Sequence, residues 1–221
     1  MQHIIVDLEF IPVSDRTLRR KCKNEVIEIG AVKLDENYKY VDIFDIFVRP
    51  EYSLMTGMIT NLTGITENDI LTAPAFDEAM DKFSQWIGYE KYRIYQWSDN
   101  DREQIISECT AKGLELKYDE FFCKHWIDLQ RLYGRISGIF RPVSLEKALD
   151  SLSIEVRGRM HRARDDAENT ASILQVIRNR SEFDSRFVPI INIMNIQTHT
   201  STLGAILGDK LAEIYKLVEA S

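Results

Sequence analysis

Apolar and polar positions divide the chain into short blocks. Runs rich in β-branched side chains stand at "HIIVDLEF" (3–10), "EVIEIGAVKL" (25–34), "YVDIFDIFV" (40–48) and "YRIYQW" (92–97), each bounded by polar or turn residues. They predict four strands. A shorter run, "KHWIDL" (124–129), is a candidate fifth. Only "DENYKY" links the second and third runs, so these two form a hairpin and the sheet is mixed. Helical spacing recurs at 54–64, 75–88, 101–113, 143–153 and 162–180, with Gly113 reading as a stop. Strands in a meander, followed by strands alternating with helices, predict an α/β layer fold on a mixed sheet.

Two segments fall outside that alternation. "SDRTLRRKCKN" (14–24) carries Arg16, Arg19, Arg20, Lys21 and Lys23 without apolar periodicity, and reads as an exposed basic loop between strands one and two. Beyond about residue 182 a Thr/Ser-rich hinge leads into an amphipathic helix of about sixteen residues. The expected organisation is a main domain over 1–182 and a C-terminal appendage over 183–221, a surface for a protein partner or for self-association.

Composition narrows the function classes. At 221 residues, 44% hydrophobic and 29% charged, the chain is long enough to bury a core. A net charge of −7 argues against binding nucleic acid by bulk positive charge, though not against a local basic path. Cys22, Cys109 and Cys123 are odd in number and lack metal-like spacing, so reduced thiols and a cytoplasmic setting are expected. "MQHIIVDLEF" lacks a basic n-region, so neither a secretory signal nor a leader ahead of the first strand is expected. No apolar run approaches a membrane span, and no membrane partner is expected.

The candidate chemistry is acidic. Asp7 and Glu9 lie two apart on the first strand, which puts both carboxylates on one face. In so apolar a strand they would repel each other and lose hydration unless a hard divalent cation compensated. Taken alone, the pair equally fits a solvated strand end. In "YQWSDNDREQ", Asp99 and Asp101 stand at a strand-to-helix junction, where either also fits a simple N-cap. "GRMHRARDDAENTASIL" (158–174) sets His161 five residues before Asp166 at a helix start. That spacing would separate the two side chains by about 140° on one continuous helix, so His161 belongs to the loop ahead of it. Acids from separate segments make a plausible two-metal site for a phosphodiester.

D-x-E on the first strand, an Asp after a tryptophan-bearing strand and H-x-x-x-x-D at a helix start resemble the DEDDh branch of the DnaQ-like 3′-to-5′ exonucleases. "EVIEIGAVKLD", "LTGIT" (62–66), "WSDND" (97–101) and "HRARDDAENTA" (161–171) extend the likeness over residues 3 to about 178. "KHWIDLQRLYG" and "VSLEKALDSLSIEVRGRMH" most resemble the RNA-trimming group that includes the histone-mRNA 3′ exonuclease. The resemblance implies an RNase H-like five-stranded sheet of order 3-2-1-4-5 with strand two antiparallel. It implies Asp7, Glu9, Asp101 and Asp166 as ligands of two Mg²⁺ or Mn²⁺ ions, and His161 as general base with Glu9 beside it at the reacting centre. Leu8, Phe10, Met58 and Leu62 fall where relatives contact the terminal nucleotide, although the last three equally fit core positions. Two departures are Ser98, where many relatives have glycine, and Arg164, where an aliphatic residue is usual. Arg164 and its neighbours Arg157, Arg159 and Arg162 fit either phosphate contacts or a solvated helix start.

The leading expectation is therefore a metal-dependent exonuclease releasing 5′-mononucleotides from single-stranded 3′ ends, RNA before DNA. A DNA proofreading or repair exonuclease of the same fold is the second reading. The third is a non-catalytic nucleic-acid or protein interaction module that keeps the fold alone.

Overall fold

The computed structural model describes residues 1–20, 22–118 and 126–196. Five strands form one sheet: β1 (Gln2–Pro12), β2 (Asn24–Leu34), β3 (Tyr40–Phe47), β4 (Tyr92–Gln96) and β5 (Trp126–Asp128), in the order β3-β2-β1-β4-β5. β2 runs antiparallel to β1 and β3, whereas β1, β4 and β5 are parallel, which is the expected mixed sheet. Asp35 shapes the β2–β3 turn by accepting the N–H groups of Asn37 and Lys39 on its carboxylate.

Strand alternation loads both faces of the sheet. Ile4, Val6 and Leu8 point toward α3 (Phe76–Ile87) and α4 (Asn100–Lys112), in a core with Phe76, Phe83 and Ile105. Ile5, Val32 and Tyr95 point the other way, toward α5 (Leu129–Ser137), α6 (Leu145–Ser151), α7 (Ala163–Arg178) and α8 (Arg180–Ile196). The register of β1 on β2 shifts between Glu9 and Phe10, so that Glu9 faces Glu28 while Phe10 faces Val26. That bulge at Ile27 turns Val26 to the α3–α4 side.

Three local features depart from the expected elements. The helix expected over 54–64 is the shorter α1 (Gly57–Thr63), followed by α2 (Glu67–Leu71), which Thr66 and Asp69 cap between them. β5 stops at Asp128, whose carboxylate accepts the Arg131 N–H and starts α5 where no helix is expected from the sequence. The expected domain boundary at 183 falls inside α8, where Phe183, Phe187 and Ile191 are buried against Tyr133 and the rest of that core. Residues 197–221, with the expected hinge and terminal helix, lie outside the described residues, as does Cys123. Cys22 and Cys109 are buried free thiols. No described helix is long and apolar enough to cross a membrane.

Candidate active site

Because side chains alternate along β1, Asp7 and Glu9 continue the face that Ile5 presents to α7. Opposite Asp7 on β2 stands Gly30, and a Cβ there would run into the backbone of Ala163 and Arg164. Glycine at this position lets the first turn of α7 lie directly on the sheet, one turn from Asp166. Opposite Glu9 stands Glu28, fully buried, which binds the Arg162 guanidinium through Nε at 3.0 Å and Nη2 at 2.8 Å. The same carboxylate accepts the Ala163 N–H at 3.0 Å, so a β2 side chain caps α7.

The loop before α7 is suspended from the helix that follows it. Asn169 accepts the Arg157 N–H at 2.9 Å and donates to the Arg157 carbonyl at 3.0 Å. Asp165 accepts the Arg159 N–H at 2.8 Å, and Asp166 Oδ2 accepts the His161 N–H at 2.9 Å. His161 is held at φ 63°, a left-handed conformation rare for a side chain with a Cβ, and its ring is exposed to the cleft. The two adjacent aspartates thus separate by geometry: Asp165 serves the loop, whereas Asp166 is buried and lines the cleft.

Asp99 and Asp101 separate in the same way. After β4 the chain turns through Ser98 at φ 79°, the region glycine adopts most easily, and enters α4. Gln96 accepts the Arg102 N–H at 2.9 Å and fixes the strand end to the helix start. Asp99 is exposed, while Asp101 is 5% exposed and reaches β1, where its Oδ1 accepts the Leu8 N–H at 3.1 Å. Asp7, Glu9, Asp101, Asp166 and His161 therefore line one cleft of about 450 Å³.

Burial raises every carboxyl here. Asp7 is held well above the usual carboxylate range by burial first and then by the charges of Asp101, Asp166 and Glu9. Glu9 and Asp101 are each pushed up to about 8, and Asp166 to about 6, with burial the largest cause throughout. Hydrogen bonds from Leu8 to Asp101 and from His161 to Asp166 pull the other way. Four carboxyls that disfavour their own ionisation form a donor set completed by external positive charge. One oxygen of each of Glu9 and Asp166 and one ring nitrogen of His161 lie within 4.8 Å of one another, and Asp166 Oδ1 is buried without a hydrogen-bond partner. These residues fit a divalent cation.

Of the expected nucleotide contacts, Leu8, Phe10 and Leu62 line the cleft; Met58 is 79% exposed and lies outside its lining. Trp97, Asn100, Ser144 and Met160 join the wall. Two of the four arginines near His161 are already engaged. Arg162 holds Glu28, and Arg159 donates to the Asn61 carbonyl at the end of α1. Glu28, Gly30 and Asn169 carry no expectation from the sequence, although two glutamates inside the buried run "EVIEIGAV" are the signal that singles out Glu28.

Comparison with known proteins agrees with this geometry. The family described as "Exonuclease" (RNase_T) matches residues 4–174. The 3′-5′ exoribonuclease 1 of Rattus norvegicus is 30% identical over 160 residues, covering 68% of this chain and 46% of that protein. The chain thus spans about half the length of that relative. A solved structure titled as 3′-end recognition of a histone mRNA stem-loop by 3′-exonuclease superposes with a TM-score of 0.68 at 23% identity, over 80% of this chain and 63% of the other. The nuclease domain of 3′hExo, titled as a DEDDh family member bound to rAMP, gives 0.65 at 24% identity, over 79% of this chain and 90% of the other. These last two show that the fold is shared. With its strand order, its cleft and the match over residues 4–174 in agreement, the chain belongs to the exonuclease family.

Proposed function

We propose that the protein is a DEDDh-type, metal-dependent 3′-to-5′ exonuclease that releases 5′-mononucleotides from single-stranded RNA. The observation that carries this reading is the convergence of Asp7, Glu9, Asp101, Asp166 and His161, from three separate parts of the chain, on one cleft. The four carboxylates would hold two ions of the Mg²⁺ or Mn²⁺ class. When bound, such ions supply positive charge to the phosphodiester and lower the pKa of water.

The chain's own groups do the rest. His161, fixed in its left-handed turn by the bond from its N–H to Asp166, accepts the proton of the attacking water at an imidazole nitrogen, with Glu9 beside it. Leu8, Phe10 and Leu62 pack the terminal nucleotide, and Met58, four residues before Leu62 on α1, stands exposed for its base. The exoribonuclease name of the rat relative and the mRNA ligand of the solved neighbour support RNA over DNA. The segment beyond residue 196 is assigned on its sequence pattern to a partner or to self-association.

The test is incubation with matched 5′-labelled single-stranded RNA and DNA in Mn²⁺ or in EDTA, beside an Asp7→Asn control. A metal-dependent ladder shortening from the 3′ end, faster on RNA and absent in the control, is the expected result. No shortening of either polymer while Mn²⁺ is bound overturns the reading.

A further inference from the structure

A second groove, of about 460 Å³, opens at the C-terminal ends of β4 and β5, beside the cleft. It is built by α5 and the segment that leaves it. Leu129, Leu132, Tyr133 and Ile136 bury one side of α5, leaving Arg131 and Arg135, one turn apart, exposed on the other. Gly138 ends the helix at φ 78°, and the Ile139 N–H returns to the Gly134 carbonyl at 3.0 Å. A Cβ on Gly134 would sit 2.7 Å from the Ile139 carbonyl oxygen, so the glycine permits this tight return. The chain doubles back and sets Phe140 and Arg141 in the same groove as Arg131 and Arg135.

The surface is unusual on three counts. Phe140 is 95% exposed, a large apolar ring that none of the described residues covers. Among the described residues, no carboxylate pairs with the guanidinium of Arg131, Arg135 or Arg141, in contrast to Arg162 on Glu28 and Arg186 on Glu182. The groove also shares a wall with the cleft. Asp99 lines the groove while its neighbours Ser98 and Asn100 line the cleft, and Pro142 lines the groove two residues before Ser144 of the cleft. The Val143 carbonyl between them accepts from Trp97 Nε1 on the cleft side at 3.1 Å and from Gln130 Nε2 on the groove side at 2.9 Å.

We infer that this groove is the track for the single-stranded RNA leading to the 3′ terminus, its phosphates on Arg131, Arg135 and Arg141 and a base stacked on Phe140. The inference rests on the proposed exonuclease reading, which places the terminal nucleotide in the adjoining cleft. A basic path with an exposed aromatic platform is how single strands are held without sequence preference. Three guanidiniums outnumber the two carboxylates of the groove, Asp99 and Asp128, and the Asp128 carboxylate is turned to the Arg131 N–H at the α5 cap. A protein of net charge −7 thereby gains a local anion path, whereas none of the described basic residues of 14–24 (Arg16, Arg19, Arg20 and Lys23) lines the cleft.

The test is fluorescence anisotropy of the full chain with a 5′-labelled oligouridylate dodecamer and trinucleotide, in EDTA so that nothing is cleaved. The wild type is expected to bind the dodecamer more tightly than the trinucleotide. Replacing Arg131, Arg135 and Arg141 together by alanine should flatten the log–log salt slope by about 2, at about 0.7 per phosphate contact. Phe140→Ala should weaken dodecamer binding about tenfold. All four side chains are exposed, and thermal melting verifies that the variants are folded. An unchanged salt slope, or wild-type binding that does not grow with length, overturns the track. Failure of Mn²⁺-dependent cleavage alongside intact length-dependent binding would remove the exonuclease reading and leave the groove as an RNA surface.

Discussion

The backbone N–H of His161 donates to Asp166 Oδ2 at 2.9 Å, so the histidine is held in its turn by the aspartate that lines the cleft beside it. The pair is one local unit of six residues, closed by a bond from the main chain of one to the side chain of the other. His161→Ala keeps that bond, because the donor is the main chain. The substitution is expected to lower kcat by about 10²- to 10⁴-fold, with Mn²⁺ affinity in calorimetry close to wild type. A ring nitrogen of His161 lies in the same cluster as oxygens of Glu9 and Asp166. Loss of Mn²⁺ binding in this variant would therefore make the histidine a ligand and not the base.

Asp7 is the carboxyl on which the repulsion of the site converges, since Asp101, Asp166, Glu9 and Glu28 all raise its pKa. An acid whose pKa is raised by folding contributes its full stability below the unfolded value and loses it as the pH climbs to the folded value. For Glu9 that window runs from 4.5 to about 8. Metal-free protein should therefore melt at progressively lower temperature across roughly pH 5 to 8. Asp7→Asn removes one charge and relieves its neighbours, so its melting temperature in EDTA should match or exceed wild type by a margin that grows with pH. His3 and Glu108, buried groups titrating elsewhere, are common to both proteins and cancel in the difference. The same variant should have no nuclease activity. A lower melting temperature at every pH would make Asp7 a structural residue.

The strands and the β2–β3 hairpin were legible from apolar alternation and the short "DENYKY" link, whereas the order of the sheet followed only from the family resemblance. α5 was not: Gly134 interrupts its apolar spacing, and the run "KHWIDL" continues past the Asp128 cap into Leu129. The stripe Phe183, Phe187 and Ile191 shows helical spacing, yet Pro189 within it and the Thr/Ser-rich hinge beyond residue 196 make the segment read as an appendage. Within the site, the sequence supplies the acids without deciding between neighbours. Asp165 and Asp166 are equivalent until Gly158 and Arg159 are seen folded back on the first of them. Glu28 and Gly30 are invisible for another reason. Their partners, Arg162 and Ala163, lie more than 130 residues away, and no local pattern encodes that approach.

Gly30 gives that approach a direct test. A methyl group there meets the Ala163 and Arg164 main chain, which cannot rotate aside as a side chain would. Gly30→Ala is expected to cost about 1–3 kcal/mol by overpacking and to move the start of α7 away from β1. Because Asp166 sits on that turn, activity should fall further than the population of folded protein, measured by denaturant titration beside the nuclease assay. A stable, fully active variant would mean that α7 need not lie so close to the sheet.

Glu28 tests whether positioning and stability can be separated. Its carboxylate holds the Arg162 fork and the Ala163 N–H together, and Arg162 in turn lies 5.2 Å over the Phe47 ring. Burial raises the Glu28 pKa, and the Arg162 and Ala163 contacts lower it, with burial the larger effect. The net stabilisation by the pair is therefore smaller than its hydrogen bonds suggest. Glu28→Gln keeps one acceptor but turns an N–H donor group toward donors, so a loss of about 1–3 kcal/mol is expected. The loop bearing His161 begins at Arg157 and ends at this anchor, and a small displacement there costs turnover heavily. We expect kcat to fall at least about tenfold in Glu28→Gln and in Arg162→Ala alike, with the double variant no slower than either. Non-additive kinetics would identify the pair as one positioning device for His161. Effects that simply multiply would show that Glu28 and Arg162 act on the cleft by separate routes.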